Sequence, residues 1–239
     1  YYDNNVRGSL SVLDAMLAAG VHRFVLSSTC AVYGNPVTTP IDEDHPTNPI
    51  NAYGESKLVV ERALVHYGRA YGLRSIALRY FNAAGASDNF GEHHRHETHL
   101  IPCLLQTALG QRDTFSLFGT DHPTPDGTCV RDYIHVADLA LAHVAAARRL
   151  DDGLPVERVY NLGSGAGTSV AQIMTAIRTV TGIDFEPTIM PRRPGDPARI
   201  VASGDLAARD LDWTMRHSLE EMVSSAWEAR RQAGDTYPR

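Results

Sequence analysis

The sequence contains almost no lysine. Of its 22 basic residues, only Lys57 is a lysine, and all the others are arginines. Acidic residues outnumber basic ones by 28 to 22, which gives a formal net charge of −6. Surfaces that bind nucleic acid are usually basic, so this composition argues against a nucleic-acid-binding protein.

Cysteines and long apolar segments are also scarce. The three cysteines, Cys30, Cys103 and Cys129, are odd in number and lack the spacing of metal ligands. This usage favours a reduced, cytoplasmic setting over secretion. The most apolar stretch, residues 137–150, is too short to span a bilayer. The first residues lack the basic-then-apolar order of a signal peptide, so none is predicted.

Helical and strand patterns alternate along the chain. Periodic apolar residues predict helices, and short apolar runs predict strands between them. The predicted helices are 4–19, 52–72, 99–110, 136–150 and 168–181, with closing helices near 205–210 and 218–232. The predicted strands are 22–28, 74–82, 114–119, 158–163 and 185–190. This order predicts an α/β protein with a parallel sheet and helices on both faces.

Two long polar loops are predicted, at 82–98 and 120–133. Loops of this length in compact domains are usually functional or mobile. The chain is more irregular after residue 82, which indicates an added substrate-binding lobe.

The one lysine lies four residues after Tyr53, at the start of a predicted helix. Positions four apart share a helix face, and a nearby ammonium lowers the pKa of a tyrosine, which could then act as a general base. The strand at 22–28 ends in Ser27 and Ser28 and is followed by Thr29. A hydroxyl of this group would face the same crevice, because ligands bind at the carboxyl ends of parallel strands. An alternative stays open: Tyr53 as a helix-start residue capped by Asn51, and Lys57 as a solvated residue.

Four ordered motifs, "SSTCAVYG", "AYGESK", "RYFN" and "DGTCVRDYIHV", are accompanied by "YYDNNV" at the front and "RRPGD" at 192–196. With these motifs the sequence resembles the extended short-chain dehydrogenase/reductases, most closely the UDP-glucose 4-epimerases. The resemblance implies a Rossmann-like, doubly wound parallel sheet, truncated at its amino end, formed by 1–81 and 130–162 and binding NAD. A smaller α+β lobe, formed by 82–129 and 163–239, would bind the UDP-sugar.

The implied reaction interconverts UDP-glucose and UDP-galactose by transient, NAD-dependent oxidation at carbon 4 of the sugar. Tyr53 would take the proton of the 4-hydroxyl, Thr29 would hydrogen-bond that hydroxyl, and Lys57 would hold the nicotinamide ribose while lowering the pKa of Tyr53. Two alternatives remain open: a 4-epimerase of another UDP-sugar, such as UDP-N-acetylglucosamine or UDP-xylose, and a non-catalytic nucleotide-sugar-binding fragment. The complete protein is expected to be a homodimer.

The resemblance also implies further binding residues. Asn4 and Phe81 would contact the dinucleotide. Besides Thr29 and Tyr53, the implied contacts to the UDP-sugar come from Asn82, His99, Leu100, Phe118, Arg131, Arg193 and Asp196. Arginine suits a diphosphate because its planar fork makes paired, charge-assisted hydrogen bonds.

Structural alternatives remain for several of these residues. Arg131 could instead pair with Asp132 or Asp138, and "RRPGD" could be a solvated turn. Leu100 and Phe118 could equally be hydrophobic core.

Some positions depart from related families. Cys30 and Ala31 stand where dehydratases and decarboxylases carry an acidic residue, so elimination would lack its general acid and epimerisation is favoured. Arg199 leaves the size of the sugar pocket undecided. The histidine-rich segment at 92–99 matches no standard ligand spacing, so no metal is predicted.

The glycine cluster at 162–170 imitates a phosphate-binding fingerprint, but Thr168 occupies the third glycine position. It is interpreted as a helix-start turn. The family's own fingerprint would precede Tyr1, so residues 1–239 alone are expected to be inactive and to bind NAD poorly.

Overall fold

The computed structural model describes residues 1–87, 90–92, 94 and 96–236. Helices, in chain order, are α1 (Gly8–Ala18), α2 (Ala52–Tyr71), α3 (Leu100–Ala108), α4 (Val136–Asp151), α5 (Val170–Thr181), α6 (Asp205–Leu211) and α7 (Leu219–Thr236). Strands are β1 (Arg23–Thr29), β2 (Arg74–Tyr80), β3 (Asn82–Ala84), β4 (Ser116–Phe118), β5 (Val130–Arg131), β6 (Tyr133–His135), β7 (Val159–Leu162), β8 (Thr168–Ser169), β9 (Thr188–Met190) and β10 (Arg199–Ile200). A π-helical turn at Tyr2–Arg7 runs into α1, and a 3-10 turn at Cys30–Val32 follows β1.

The chain divides into two compact units. The first comprises Tyr1–Phe81, Ala140–Gly165 and Ala202–Thr214. The second comprises Asn82–Leu139, Ala166–Val201 and the residues from Met215 onward.

The units differ from the expected lobes at three segments, since 130–139 lie in the second unit and 163–165 and 202–214 in the first. Strand pairing explains the first difference: β5 pairs with β8 and β10, and β6 pairs with β3.

The first unit is built on a parallel sheet in the order β1-β2-β7. Thr29, the last residue of β1, pairs with Tyr80, the last residue of β2. Leucines of α1, α2 and β1 meet in its core, where Leu13, Leu26 and Leu64 are buried. Parallel strands require a crossover, and α2 supplies it between β1 and β2. The predicted α/β class with parallel strands is confirmed for this unit.

The described residues of the second unit form three small sheets: β3-β6, β4-β9 and β10-β5-β8. Its core is formed mainly by α3, α5 and α7, with Leu104, Ile173 and Val223 fully buried. The predicted loops at 82–98 and 120–133 are corrected here, because the first begins with β3 and the second ends in β5 and β6. These strands are two or three residues long and pair with distant segments, so no local pattern marks them. Among the described residues, no helix of either unit is long and apolar enough to cross a membrane.

Candidate active site

The carboxyl end of β1 and the amino end of α2 meet in the first unit. Thr29 ends β1 with an extended backbone, and its buried side chain accepts a hydrogen bond from the amide of Ala31 at 3.2 Å. The same side chain is hydrogen-bonded to Tyr53, and this bond lowers the pKa of the phenol. A hydroxyl that can hydrogen-bond the phenol oxygen favours the phenolate form of Tyr53.

The start of α2 is fixed by a side-chain cap and by a glycine. The side chain of Asn51 accepts a hydrogen bond from the amide of Gly54 at 2.8 Å, as expected of an N-cap residue. A Cβ atom at Gly54 would lie only 2.8 Å from the carbonyl carbon of Ala31. The helix therefore approaches the turn after β1 as closely as it does only because residue 54 has no side chain. Asn51 therefore caps α2, as the structural alternative expected. This cap does not exclude a catalytic role for Tyr53, which lies two residues after it.

Lys57 lies one helical turn after Tyr53 on the same face of α2. Its half-buried ammonium donates a hydrogen bond to the backbone carbonyl of Ser27 at 2.9 Å. Lys57 is thus anchored at the end of β1 and is not simply a solvated residue. Thr29, Tyr53 and Lys57 are the residues predicted to be catalytic, and they are called the catalytic cluster below.

Burial dominates the protonation of this cluster. It raises the pKa of Tyr53, while the hydrogen bond from Thr29 opposes the rise. It also lowers the pKa of Lys57. The expectation that Lys57 lowers the pKa of Tyr53 is therefore not the net result in this structure, because desolvation of the phenol outweighs the effects that favour its charged form.

The two residues predicted to contact the dinucleotide differ in exposure. Phe81 is buried directly after β2. Asn4 is exposed in the π-helical turn. Its neighbour Asn5 makes the contact to α2, where its side-chain amide donates to the hydroxyl of Ser56 at 2.9 Å. Sequence reasoning missed Asn5, whose role depends on how the first turn packs on α2.

A second group of predicted residues meets in the second unit. Arg131, in β5, forms an ion pair with Asp196, and both side chains are partly buried. The sequence left Asp132 and Asp138 open as alternative partners of Arg131, but the partner in this ion pair is Asp196. The carboxylate of Asp196 also lies 3.9 Å from the thiol of Cys129. The structure thus joins two of the residues predicted to bind the nucleotide.

Buried groups that the sequence did not single out support this pair. The thiol of Cys129 lies 3.2 Å from a ring nitrogen of His122, and both side chains are buried. Burial raises the pKa of Cys129, so the thiol stays protonated, as a supporting rather than a nucleophilic group does. The signal in the sequence was only the proximity of "DH" and "TC" in one loop, which does not distinguish such a contact from chance.

The remaining predicted residues of the second unit lie in varied surroundings. The guanidinium of Arg193 stacks on the ring of Phe118, 3.8 Å from its centroid, so Phe118 is not purely core. The side-chain amide of Asn82 donates to the carbonyl of Asp132 at 2.8 Å. Leu100 packs against the core of the second unit, which is the alternative that the sequence left open for it.

His99, just before α3, is exposed. One of its ring nitrogens lies 2.6 Å from the carboxylate of Glu92. The ligand atoms of Glu92, His94 and His99 all lie within 4.8 Å of one another. The sequence spacing did not reveal this group, because the fold of the segment, not a regular repeat, brings the three side chains together.

The glycine cluster at 162–170 leads into α5, which begins at Val170. Gly165 and Gly167 both have positive φ, and a Cβ at Gly167 would lie 2.7 Å from a methyl group of Val130. The strand β8 then intervenes, and Ser169 caps α5 in a reciprocal capping box with Gln172. The cluster is therefore a helix-start turn, as predicted, with the two-residue strand β8 inside it, and the first amides of α5 are used by the cap.

A groove of about 520 Å³ on the first unit, beside α2 and β2, contains none of the catalytic cluster. Its most buried charges, Glu61 and Arg79, are paired with each other at 2.6 Å. We assign no ligand to it.

The parallel sheet and the catalytic cluster at its carboxyl edge define an α/β protein of the class that the sequence resembles, the extended short-chain dehydrogenase/reductases. The chain matches the NAD dependent epimerase/dehydratase family over residues 1–163, which is more than half of its length, and it belongs to that family.

Individual relatives agree. The chain is 49% identical to the UDP-glucose 4-epimerase of Corynebacterium glutamicum over 236 residues, which cover 98% of this chain and 71% of the relative. Among solved structures, it is similar to UDP-glucose 4-epimerase from Brucella ovis in complex with NAD, with a TM-score of 0.92, 44% identity and coverage of 95% and 71%. It is also similar to the enzyme from Stenotrophomonas maltophila with bound NAD and formylated UDP-arabinopyranose, with a TM-score of 0.93, 40% identity and coverage of 99% and 71%.

Proposed function

We propose that this protein is an isomerase that interconverts UDP-glucose and UDP-galactose by NAD-dependent transient oxidation at carbon 4 of the sugar. The observation that carries the proposal is the catalytic cluster: a tyrosine hydrogen-bonded to a threonine at the end of a parallel strand, with the only lysine one helical turn further along α2. The relatives named above, whose names state this activity, support the substrate class.

The cluster fits the nicotinamide end of the cofactor. An ammonium has three donors, and Lys57 uses one of them on the carbonyl of Ser27. Its remaining donors suit the paired hydroxyls of a ribose. Phe81 and Asn4 complete the proposed set of cofactor contacts. Bound NAD supplies the acceptor, and later the donor, of the hydride at carbon 4.

Tyr53 acts on the substrate as the general base. Its phenolate takes the proton of the sugar 4-hydroxyl, and it returns the proton to the oxygen after the sugar has presented its other face. Thr29, which hydrogen-bonds Tyr53, also holds the 4-oxygen and so keeps donor and acceptor in line. Half-burial of Tyr53 limits the access of water to the reacting oxygen.

The diphosphate and the uridine are assigned to residues of the second unit. Arg131, which pairs with Asp196, offers paired donors that suit a phosphate. Asp196 then accepts from a ribose hydroxyl, and Arg193 contributes a second cation. Asn82, His99, Leu100 and Phe118 complete the proposed substrate contacts.

The activity is tested with the protein expressed from its complete gene. UDP-galactose is the substrate, UDP-glucose is quantified by proton NMR, and NADH is followed by its absorbance. We expect full interconversion with no NADH accumulating in step with product, since the hydride returns to the same sugar. NADH formed in proportion to product would identify a dehydrogenase and overturn the proposal.

Parallel assays address the alternatives. Faster turnover of UDP-N-acetylglucosamine or UDP-xylose would assign a different 4-epimerase to the same chemistry. Binding of UDP-glucose without turnover of any of these sugars would indicate a non-catalytic nucleotide-sugar-binding protein.

We also propose that the protein is a cytoplasmic homodimer. The exposed apolar side chains of Tyr1, Tyr2, Val12 and Tyr71, on the first two helices and the turn before them, support self-association. The three cysteines are free thiols, as in a reducing compartment. Analytical ultracentrifugation of the complete protein tests the dimer, and a monomer at micromolar concentration would contradict it.

A further inference from the structure

Three exposed side chains of the segment before α3 lie close to one another. A ring nitrogen of His94 (Nε2) lies 2.8 Å from Glu92 Oε1, and a ring nitrogen of His99 (Nδ1) lies 2.6 Å from the same oxygen. The two imidazole rings are 5.2 Å apart between centroids. We call Glu92, His94 and His99 the histidine–glutamate cluster. Two imidazole nitrogens converging on one carboxylate form a donor set that suits a divalent transition metal.

The present separations are those of hydrogen bonds. In a tetrahedral zinc site, with bonds of about 2.0–2.2 Å, two ligand atoms lie roughly 3.3 Å apart. Each of the two nitrogens must therefore move about 0.5–0.7 Å further from the Glu92 oxygen. All three side chains are exposed, so small rotations achieve this without disturbing the core. Two imidazoles and one carboxylate also leave a fourth position for water or another ligand.

A second carboxylate stands beside the cluster. The side chain of Glu97 is only 2% exposed, and its Oε1 lies 3.4 Å from the same nitrogen of His99. This oxygen accepts hydrogen bonds from the amides of Thr98 and His99, both at 2.8 Å. Among the described residues, none hydrogen-bonds the other oxygen, Oε2, although it is buried. A buried carboxylate oxygen without a partner is costly, and a nearby cation removes that cost.

We propose that Glu92, His94 and His99 bind a divalent transition metal ion of the zinc type, with the negative charge of Glu97 beside it. The ion replaces the protons now shared between the imidazoles and Glu92. It joins residues on both sides of position 96 and so ties the segment to the start of α3. The ion takes no part in the proposed epimerase chemistry, and the site contains none of the catalytic cluster, although it shares His99 with the proposed substrate contacts.

The test is isothermal titration of the complete protein, without a polyhistidine tag and freed of metals by a chelator, with Zn²⁺ alone. We expect one saturable equivalent in the wild type. Glu92→Gln and His94→Ala should each weaken it by at least about 100-fold, since even residues that only orient metal ligands are worth roughly 10–100-fold. Glu97→Gln should weaken it by about 10–100-fold on the same scale.

His96→Ala is the matched control. His96 is also exposed and lies in the same segment, but it is not a member of the cluster. Its replacement should leave zinc affinity unchanged, while unfolding temperatures show that all variants are folded. Equal affinities for His94→Ala and His96→Ala, or an absence of saturable binding to the wild type, would overturn the proposal, because ordinary surface histidines would then account for any zinc bound.

Discussion

Replacement of Tyr53 by phenylalanine separates the chemistry of the catalytic cluster from its packing. The ring, which lies 5.5 Å from that of Tyr1 between centroids, is retained, and only the hydroxyl is lost. Loss of a general base lowers turnover by about 10²–10⁴-fold, or about 2.7–5.4 kcal/mol of transition-state free energy. Loss of the single hydrogen bond to Thr29 costs the fold only about 0.5–1.5 kcal/mol. Turnover should therefore collapse in a protein that remains folded.

The assay compares initial rates of UDP-galactose conversion and unfolding temperatures for wild type and variant, each expressed from the complete gene. Tyr71→Phe is the matched control, since it removes the hydroxyl of an exposed tyrosine on the same helix. We expect the control to keep wild-type turnover. A Tyr53→Phe protein that also turns over at the wild-type rate would refute the assignment of Tyr53 as the base.

Three further changes test the surroundings of the base and one tests the substrate contact. Thr29→Val removes the hydrogen bond that lowers the pKa of Tyr53, so the pKa of Tyr53 should rise. The rising limb of the pH–rate profile should then move to higher pH, whereas Thr29→Ser should leave this limb in place. Lys57→Arg should lower both turnover and NAD affinity, measured as bound NAD, because a guanidinium keeps the charge but not the shape; unchanged values would remove Lys57 from the site. Gly54→Ala should destabilise the protein by about 1–3 kcal/mol in denaturant unfolding, because its methyl group collides with backbone; a neutral effect would mean that α2 is free to shift. Arg131→Ala should raise the KM for UDP-galactose by roughly 10- to 150-fold through loss of a charge-assisted contact, and an unchanged KM would assign the diphosphate to other residues.

Much of the fold of the first unit follows from local sequence pattern. The helix predicted over 52–72 is Ala52–Tyr71. Asn51 caps its start and Gly72 its end, as their residue types suggest. The helix predicted over 136–150 is Val136–Asp151. These elements are long and periodic, so local preference and burial agree. Strands of two or three residues, such as β5 and β10, depend on a partner elsewhere in the chain, and no window of sequence contains both members of the pair.

The candidate site likewise has features that local sequence predicts and features that depend on distant contacts. Tyr53 and Lys57 could be recognised because helical spacing alone puts them on one face. The pairing of Arg131 with Asp196 could not, since the residues are 65 positions apart and acidic neighbours of Arg131 were equally good partners. The direction of the pKa shift of Tyr53 could not be predicted from the sequence either. Charge proximity can be inferred from spacing, but the desolvation that outweighs it depends on how the helix and the turn after β1 close around the ring.

The single lysine has a structural reason. The ammonium of Lys57 is half-buried where α2 meets the end of β1, and one of its donors is fixed by the carbonyl of Ser27. Burial lowers its pKa, because few groups at this position compensate for the loss of water around the charge. A guanidinium is larger and planar, and its donors point along fixed directions, so it could not satisfy this carbonyl and still direct rotatable donors toward a ribose. In a chain whose other basic residues are all arginines, position 57 therefore requires a compact cation with free rotation, and charge alone does not meet that requirement.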